Sequence, residues 1–218
     1  MLLVQALELL GLASFVQLRA LLGGGVSVMA AALAASHLGI VIGHIHGGDI
    51  TSNGLDDSFR HALTMLSHIH FPATAAAAER IRQLGQAPEQ IHRFGSPGAD
   101  DLPIATVEEV QAATGLDPGT PYFVLLHHPH LAHPGPDTTE IDAILEAIRR
   151  IGQTTVAILP NNDPGSRAIA SRIQASPSVQ SYPSLPRPIF LGLLSRCVAL
   201  VGNSSAGLIE GSALGVPY

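Results

Sequence analysis

Residues 198–210 read VALVGNSSAGLIE, and this stretch decides the fold. Val198–Val201 is a short apolar run without polar alternation, the pattern of a strand covered on both faces and therefore of a parallel sheet. Gly202 breaks it, and small hydroxylated residues then open a helix. Outward from this unit the same strand, loop and helix grammar recurs. Tyr122–His127, Thr155–Leu159 and Val179–Tyr182 read as strands. Glu140–Ile151 carries Ile141, Ile144, Leu145 and Ile148 at the i, i+3, i+4, i+7 spacing of an amphipathic helix. Ser166–Gln174, Ile189–Ser195 and a short Val107–Ala113 segment read as further helices.

The N-terminal half follows the same alternation. An Ala-rich helix from Val28 to His37 precedes a strand at Ile40–Ile45 and a Gly-rich loop over Gly47–Gly54. Asp56 is expected to cap a helix running through Leu66, with Phe59, Leu63 and Leu66 on one face. A strand at Ile69–Phe71 is closed by Pro72, a helix follows at Ala75–Leu84, and Gln90–Phe94 is the next strand candidate. The Gly-, Pro- and Asp-rich turn Gly95–Pro103 divides the chain into residues 1–103 and 104–218. Strands alternating with helices throughout predict an α/β protein of parallel βαβ units. In such sheets ligands sit beyond the carboxyl ends of strands, so the loops after Ile45, His127, Leu159 and Val201 are where chemistry belongs.

The 218 residues, 46% apolar and 13% charged, suffice for a real core. With 17 acidic and 11 basic residues, a net charge of -6 and no Lys/Arg cluster, the footprint of a nucleic-acid binder is missing. The lone Cys197 excludes a disulfide framework and a CxxC metal site, and it fits a reducing, cytoplasmic setting. Met1–Leu22 lacks a basic n-region and is interrupted by Glu8 and Arg19, unlike a secretion signal. Leu21–Ile45 has no charged residue and is long enough to span a bilayer. Its Ala and Gly content, and its division into a helix and a strand, argue against a membrane span.

Four loops carry candidate chemistry. At 202–206 the amides of Ser204, Ser205 and Ala206 meet the positive end of a helix dipole and can cradle a phosphate, while Glu210 along the helix can accept from a ribose diol. Two simple helix-capping serines fit the same residues. At the end of the Ile40–Ile45 strand, His44, His46, Asp49, Asp56, Asp57, Arg60 and His61 gather titratable groups. HxH can ligate a metal, but no thiolate or second pair accompanies it. An acid–base cluster is preferred, because charges packed in a cleft part their proton affinities. His127, His128, His130 and His133 lie in a Pro-stiffened loop where one inward His is expected. Asn161, Asp163 and Arg167 after the next strand offer amides and charges suited to a sugar or anion, or to a capping turn.

Taken together, HIHGGDITSNGLDDSFRHALTMLSHIHF (44–71), RFGSPGADDL, HHPH, LPNNDPGSR and VGNSSAGLIEGSALGVP (201–217) resemble the hydrolysing UDP-N-acetylglucosamine 2-epimerase family, in its sialic- and legionaminic-acid branch. The resemblance implies two Rossmann-like domains in the glycosyltransferase-B arrangement, both incomplete in this chain. It also implies conversion of UDP-N-acetylglucosamine and water to N-acetylmannosamine and UDP, through UDP elimination and a glycal. By position, Asp56, Asp49, His46 and His128 correspond to catalytic residues. Ser204, Ser205, Glu210, Asn203, Asn161 and Arg60 correspond to the UDP site, with no metal and no cofactor. The expected partner is a UDP-sugar, without nucleic acid or membrane, in a homo-oligomer. The family carries Gly-Asp-Arg before the Ala-rich helix, where this chain has Gly23-Gly24-Gly25-Val26-Ser27, and no Asp or Glu stands between Glu8 and Asp49. Met1–Gly25 does not read as family sequence, so the opening strands are expected to be missing and the chain truncated at both ends. A glycosyltransferase of the same fold, an inactive UDP-sugar-binding remnant and a His-based metal hydrolase are the alternatives.

Overall fold

The computed structural model describes residues 18–22, 26–51, 55–129, 138–161 and 164–218. The chain divides into two units, Met1–Asp100 and Asp101–Tyr218.

The first unit holds three parallel strands in the order β1-β2-β3: β1 (Leu18–Leu22), β2 (Val41–Ile45) and β3 (Ile69–Phe71). Helices α1 (Val26–His37) and α2 (Leu55–Leu66) make the crossovers, and α3 (Ala75–Gln83) follows β3. Ala32 and Ala35 of α1, Ile42 of β2 and Leu63 of α2 form a buried cluster, while Ile45 and Phe71 pack together in another. Small alanines let the helix backbone approach the sheet closely, which a bulkier face would prevent.

Two expectations need correction here, and one strand lies where no element was expected. A strand exists before the Ala-rich helix: β1 pairs along its whole length with β2, Leu18 against Val41 through Leu22 against Ile45. LRALL is composed of helix-favouring residues, and pairing with a buried neighbour overrides that propensity. Asp56 does not cap α2, because the helix already begins at Leu55 and Asp56 lies within its first turn. Gln90–Phe94 is not a strand. A 3-10 turn occupies Pro88–Gln90, and a single bridge joins Ile91 to His70, with the His92 amide donating to the His70 carbonyl at 2.8 Å. The next donor in that ladder is residue 72, and Pro72 has no N–H to give.

The second unit is a four-stranded parallel sheet in the order β6-β5-β4-β7, with β4 (Phe123–Leu126), β5 (Thr155–Ile158), β6 (Val179–Tyr182) and β7 (Ala199–Gly202). Alternate residues of β4 face opposite ways. Val124 and Leu126 enter a cluster with Val110 of α4 (Val107–Thr114) and with Leu193 and Leu194 of α7 (Arg187–Leu194). Leu125 enters the other cluster, with Ile141 and Ile148 of α5 (Thr139–Ile151) and Ile169 and Ile173 of α6 (Ser166–Ala175). The sheet is thus covered on both faces, which is why its central strand β4 and its neighbour β7 read as unbroken apolar runs. Each fully buried Leu or Ile contributes about 2 kcal/mol of transfer free energy. Within the described residues no helix is long and apolar enough to cross a membrane.

Candidate functional site

In the second unit the chain steps outward from β4 to β5 to β6, then crosses back to lay β7 on the other side of β4. The strand order therefore reverses between β4 and β7, the switch point beyond whose carboxyl ends parallel sheets form a ligand crevice. Gly202 ends β7 with φ +137, and a Cβ there would collide with the Leu126 carbonyl. Only glycine lets the strands approach this closely. The Asn203 amide then donates to the Leu126 carbonyl at 3.1 Å. Its side chain clamps His128 twice, accepting from the His128 amide at 2.8 Å and donating to the His128 carbonyl at 2.8 Å. His127 is buried, with Nε2 3.6 Å from the Glu140 carboxylate, and His128 is half-buried.

Ser204 is buried and its Oγ accepts from the Ala206 amide at 3.4 Å, while Ser205 is exposed. The helix they open contains a π turn, Gly207–Gly211, before an α turn at Ser212–Leu214. Such wide turns cost regular hydrogen bonding and recur at functional sites. Glu210 sits in this turn and is paired with Arg187 of α7 at 3.1 Å. Asn161, after β5, lies 3.5 Å from the Ser166 hydroxyl. The fold thus gathers His128, Asn203 and Ser204 directly. His130, His133 and Asp163 lie outside the described residues, as does the Gly23–Gly25 segment.

In the first unit the candidate residues sit beyond the carboxyl end of β2. His46 has φ +60, a left-handed conformation uncommon outside glycine that costs of order 1 kcal/mol. Its Nδ1 lies 2.8 Å from Asp49 Oδ2 and its Nε2 lies 2.9 Å from Ser96 Oγ. Gly48, at φ +77, lies so close to α3 that a Cβ would strike the Ala77 carbonyl, and Arg80 of α3 donates to the Gly48 carbonyl at 2.8 Å. Arg60 Nη1 bridges the Asp57 carboxylate at 2.6 Å and the Asp49 carbonyl at 2.9 Å. Asp57 Oδ1 also accepts from the Thr51 amide and hydroxyl. Burial pushes the Asp57 carboxyl up, but the Thr51 and Arg60 donors outweigh it and hold it below the usual carboxylate range. Asp56 is half-buried beside this network. Arg60 is buried, and its Nε has no hydrogen-bond partner.

Sequence reading placed His46, Asp49 and Asp57 in one cluster, and the structure joins His46 to Asp49 and Asp57 to Arg60. That reading assigned no role to Thr51, Ser96 or Arg187. Ser96 stood in a quoted motif, yet nothing local signalled contact with a residue 50 positions away. Among the described residues no group of three or more His, Cys, Asp and Glu is gathered as a metal site.

Strand order and crevice define a Rossmann-like α/β protein, as expected. The chain belongs to the UDP-N-acetylglucosamine 2-epimerase family, whose model matches residues 18–218. It is 35% identical over 208 residues to the UDP-N-acetylglucosamine 2-epimerase of Neisseria meningitidis, covering 92% of this chain and 52% of that protein. It is 33% identical over 199 residues to the hydrolysing UDP-N,N'-diacetylbacillosamine 2-epimerase of Legionella pneumophila, covering 88% and 52%. The chain therefore spans about half the length of these relatives. Its fold is similar to that of a Neisseria meningitidis UDP-GlcNAc 2-epimerase bound to UDP-GlcNAc, with TM-score 0.78 and 19% identity, over 99% of this chain and 61% of that one. The family match begins at Leu18, the first residue of β1.

Proposed function

We propose that this chain carries out, or forms part of a protein that carries out, the hydrolysing 2-epimerisation of a UDP-sugar: UDP-N-acetylglucosamine plus water to N-acetylmannosamine plus UDP. The C2 proton is removed as the C1–O bond breaks, its electron pair becoming the double bond of a glycal while UDP leaves. Water then adds across that bond, hydroxyl to C1 and proton to the opposite face of C2. Asp56, Asp49, His46 and His128 are proposed for proton transfer. Ser204, Ser205, Asn203, Glu210, Asn161 and Arg60 are proposed for the nucleotide.

One observation carries this reading: the Asn203 clamp on the His128 main chain at the β4/β7 reversal, which ties the start of the helix after β7 to the His-bearing loop after β4. Amides at a helix start suit a diphosphate, and the neighbouring His suits its departure. A chain that binds the nucleotide without turnover is a second reading, favoured by Gly23-Gly24-Gly25 standing where the resemblance expects Gly-Asp-Arg. Proton NMR of UDP-N-acetylglucosamine incubated with the protein in deuterated water decides between them. Formation of UDP and C2-deuterated N-acetylmannosamine is the expected result. UDP binding with an unchanged C2 signal would instead establish the second reading.

A further inference from the structure

We infer that Ser96 is the outlet of an Asp49–His46–Ser96 proton relay at the end of β2. The inference rests on the epimerase reading for its substrate, and on geometry alone for the relay. Nδ1 of His46 lies 2.8 Å from Asp49 Oδ2, and Nε2 lies 2.9 Å from Ser96 Oγ. A carboxylate can only accept, so it draws the ring proton to Nδ1 and leaves Nε2 as an acceptor. The Ser96 hydroxyl then donates to Nε2. Its oxygen also accepts from the Gly98 amide at 3.3 Å, at the start of the Pro97–Ala99 turn. Every polarity along the chain is consistent, and it is the one by which a carboxylate and an imidazole activate a serine hydroxyl.

Independent features hold this arrangement. His46 keeps φ +60, and its amide is tied to the Phe71 carbonyl at 3.1 Å. The Asp49 carbonyl is held by Arg60, itself paired with Asp57. Such backbone strain persists only where the surroundings enforce it, and it gathers at functional positions. With both ring nitrogens engaged inside the chain, His46 has no free nitrogen for a substrate. The nitrogen left to accept a proton is Nε2, and it faces the half-buried Ser96 Oγ.

In the epimerase reaction Ser96 Oγ takes the C2 proton while its own hydroxyl proton passes to Nε2. The C2–H pair becomes the glycal double bond, and UDP departs with the C1–O pair. Asp49 balances the imidazolium, which returns its proton to water. The proton delivered to the opposite face comes from another group, for which Asp56 is the proposal above.

The test combines ring-nitrogen NMR with kinetics on the full chain. Long-range proton–nitrogen spectra, assigned with His46→Gln, should show His46 protonated at Nδ1 with Nε2 bare, and Nε2 should shift when Ser96→Ala removes its donor. Ser96→Ala should lower kcat about 100-fold, as loss of general acid–base catalysis does, with KM within about twofold. Ser96→Thr, which keeps the hydroxyl, should restore kcat to within about tenfold of the parent, well inside that catalytic range. A ring protonated at Nε2, or an unchanged kcat in Ser96→Ala, overturns the relay. If the parent protein shows no turnover, the reading that this chain performs the epimerisation by itself falls, and the ring tautomer with its Ser96 dependence alone decides whether the relay exists.

Discussion

The loop after β2 and the crevice between β4 and β7 solve one problem, presenting polar groups at strand ends, by opposite means. In the first unit the geometry is held by side chains carrying charge or protons: Asp57 with Arg60, Asp49 with His46, Arg80 on the Gly48 carbonyl. In the second it is held by backbone. Gly202 brings β7 against Leu126, and Asn203 reads the main chain of His128 on both sides. Charge networks can be tuned for proton transfer and are sensitive to acid and substitution. Backbone clamps are indifferent to pH and suit a ligand whose phosphates carry the charge.

The comparison breaks most readily at Asp57. Asp57→Ala strands the buried Arg60 cation, so the first unit should lose about 3 to 5 kcal/mol in denaturant unfolding, with the second unit's transition unmoved. A loss below about 1 kcal/mol would class the pair with weak surface bridges. Gly202→Ala should cost the second unit about 3 kcal/mol through strain and the Leu126 collision, and abolish UDP binding measured by calorimetry. Retention of both would show that β7 can shift without harm to the crevice. Asn203→Ala removes two hydrogen bonds to His128, and should cost about 1 to 2 kcal/mol and weaken UDP binding about tenfold.

The smallest effect is a pH slope. Burial, aided by the charges of His68 and His92, lowers the His70 proton affinity despite its bond to Gln86. The unfolded chain therefore binds this proton first as pH falls below 6.5, and the first unit loses stability downward from there until the folded His70 also titrates. Asp57, lowered from 3.8, adds stability present above that pH and lost as pH falls further through its folded value. Unfolding followed from pH 7 to 5 should show a positive slope that flattens in His70→Gln. A slope unchanged by that variant would remove His70 from the account.

Much of this was legible in the sequence where the signal is local. The i, i+3, i+4, i+7 spacing of Ile141–Ile148 placed α5, and Val198–Val201 marked β7 to within a residue, because covered strands and one-sided helices need those patterns. Glycines at 48 and 202 announced tight turns without saying what they must clear. The π turn around Glu210 left no trace, since its residues are ordinary helix formers apart from the flanking glycines. β1 was invisible because LRALL becomes a strand only when β2 supplies its hydrogen bonds.

By itself, then, the sequence determined the alternation of strands and helices, the parallel sheets and the loops that bear chemistry. Periodicity and glycine placement act over a few residues, within reach of local physics. Only the tertiary structure decided that β7 returns beside β4, that Asn203 reaches His128 across 75 positions, and that Ser96 meets His46 across 50. Those pairings arise from how whole βαβ units stack to bury their apolar faces, and no residue's neighbours along the chain encode which distant side chain that stacking will bring within 3 Å.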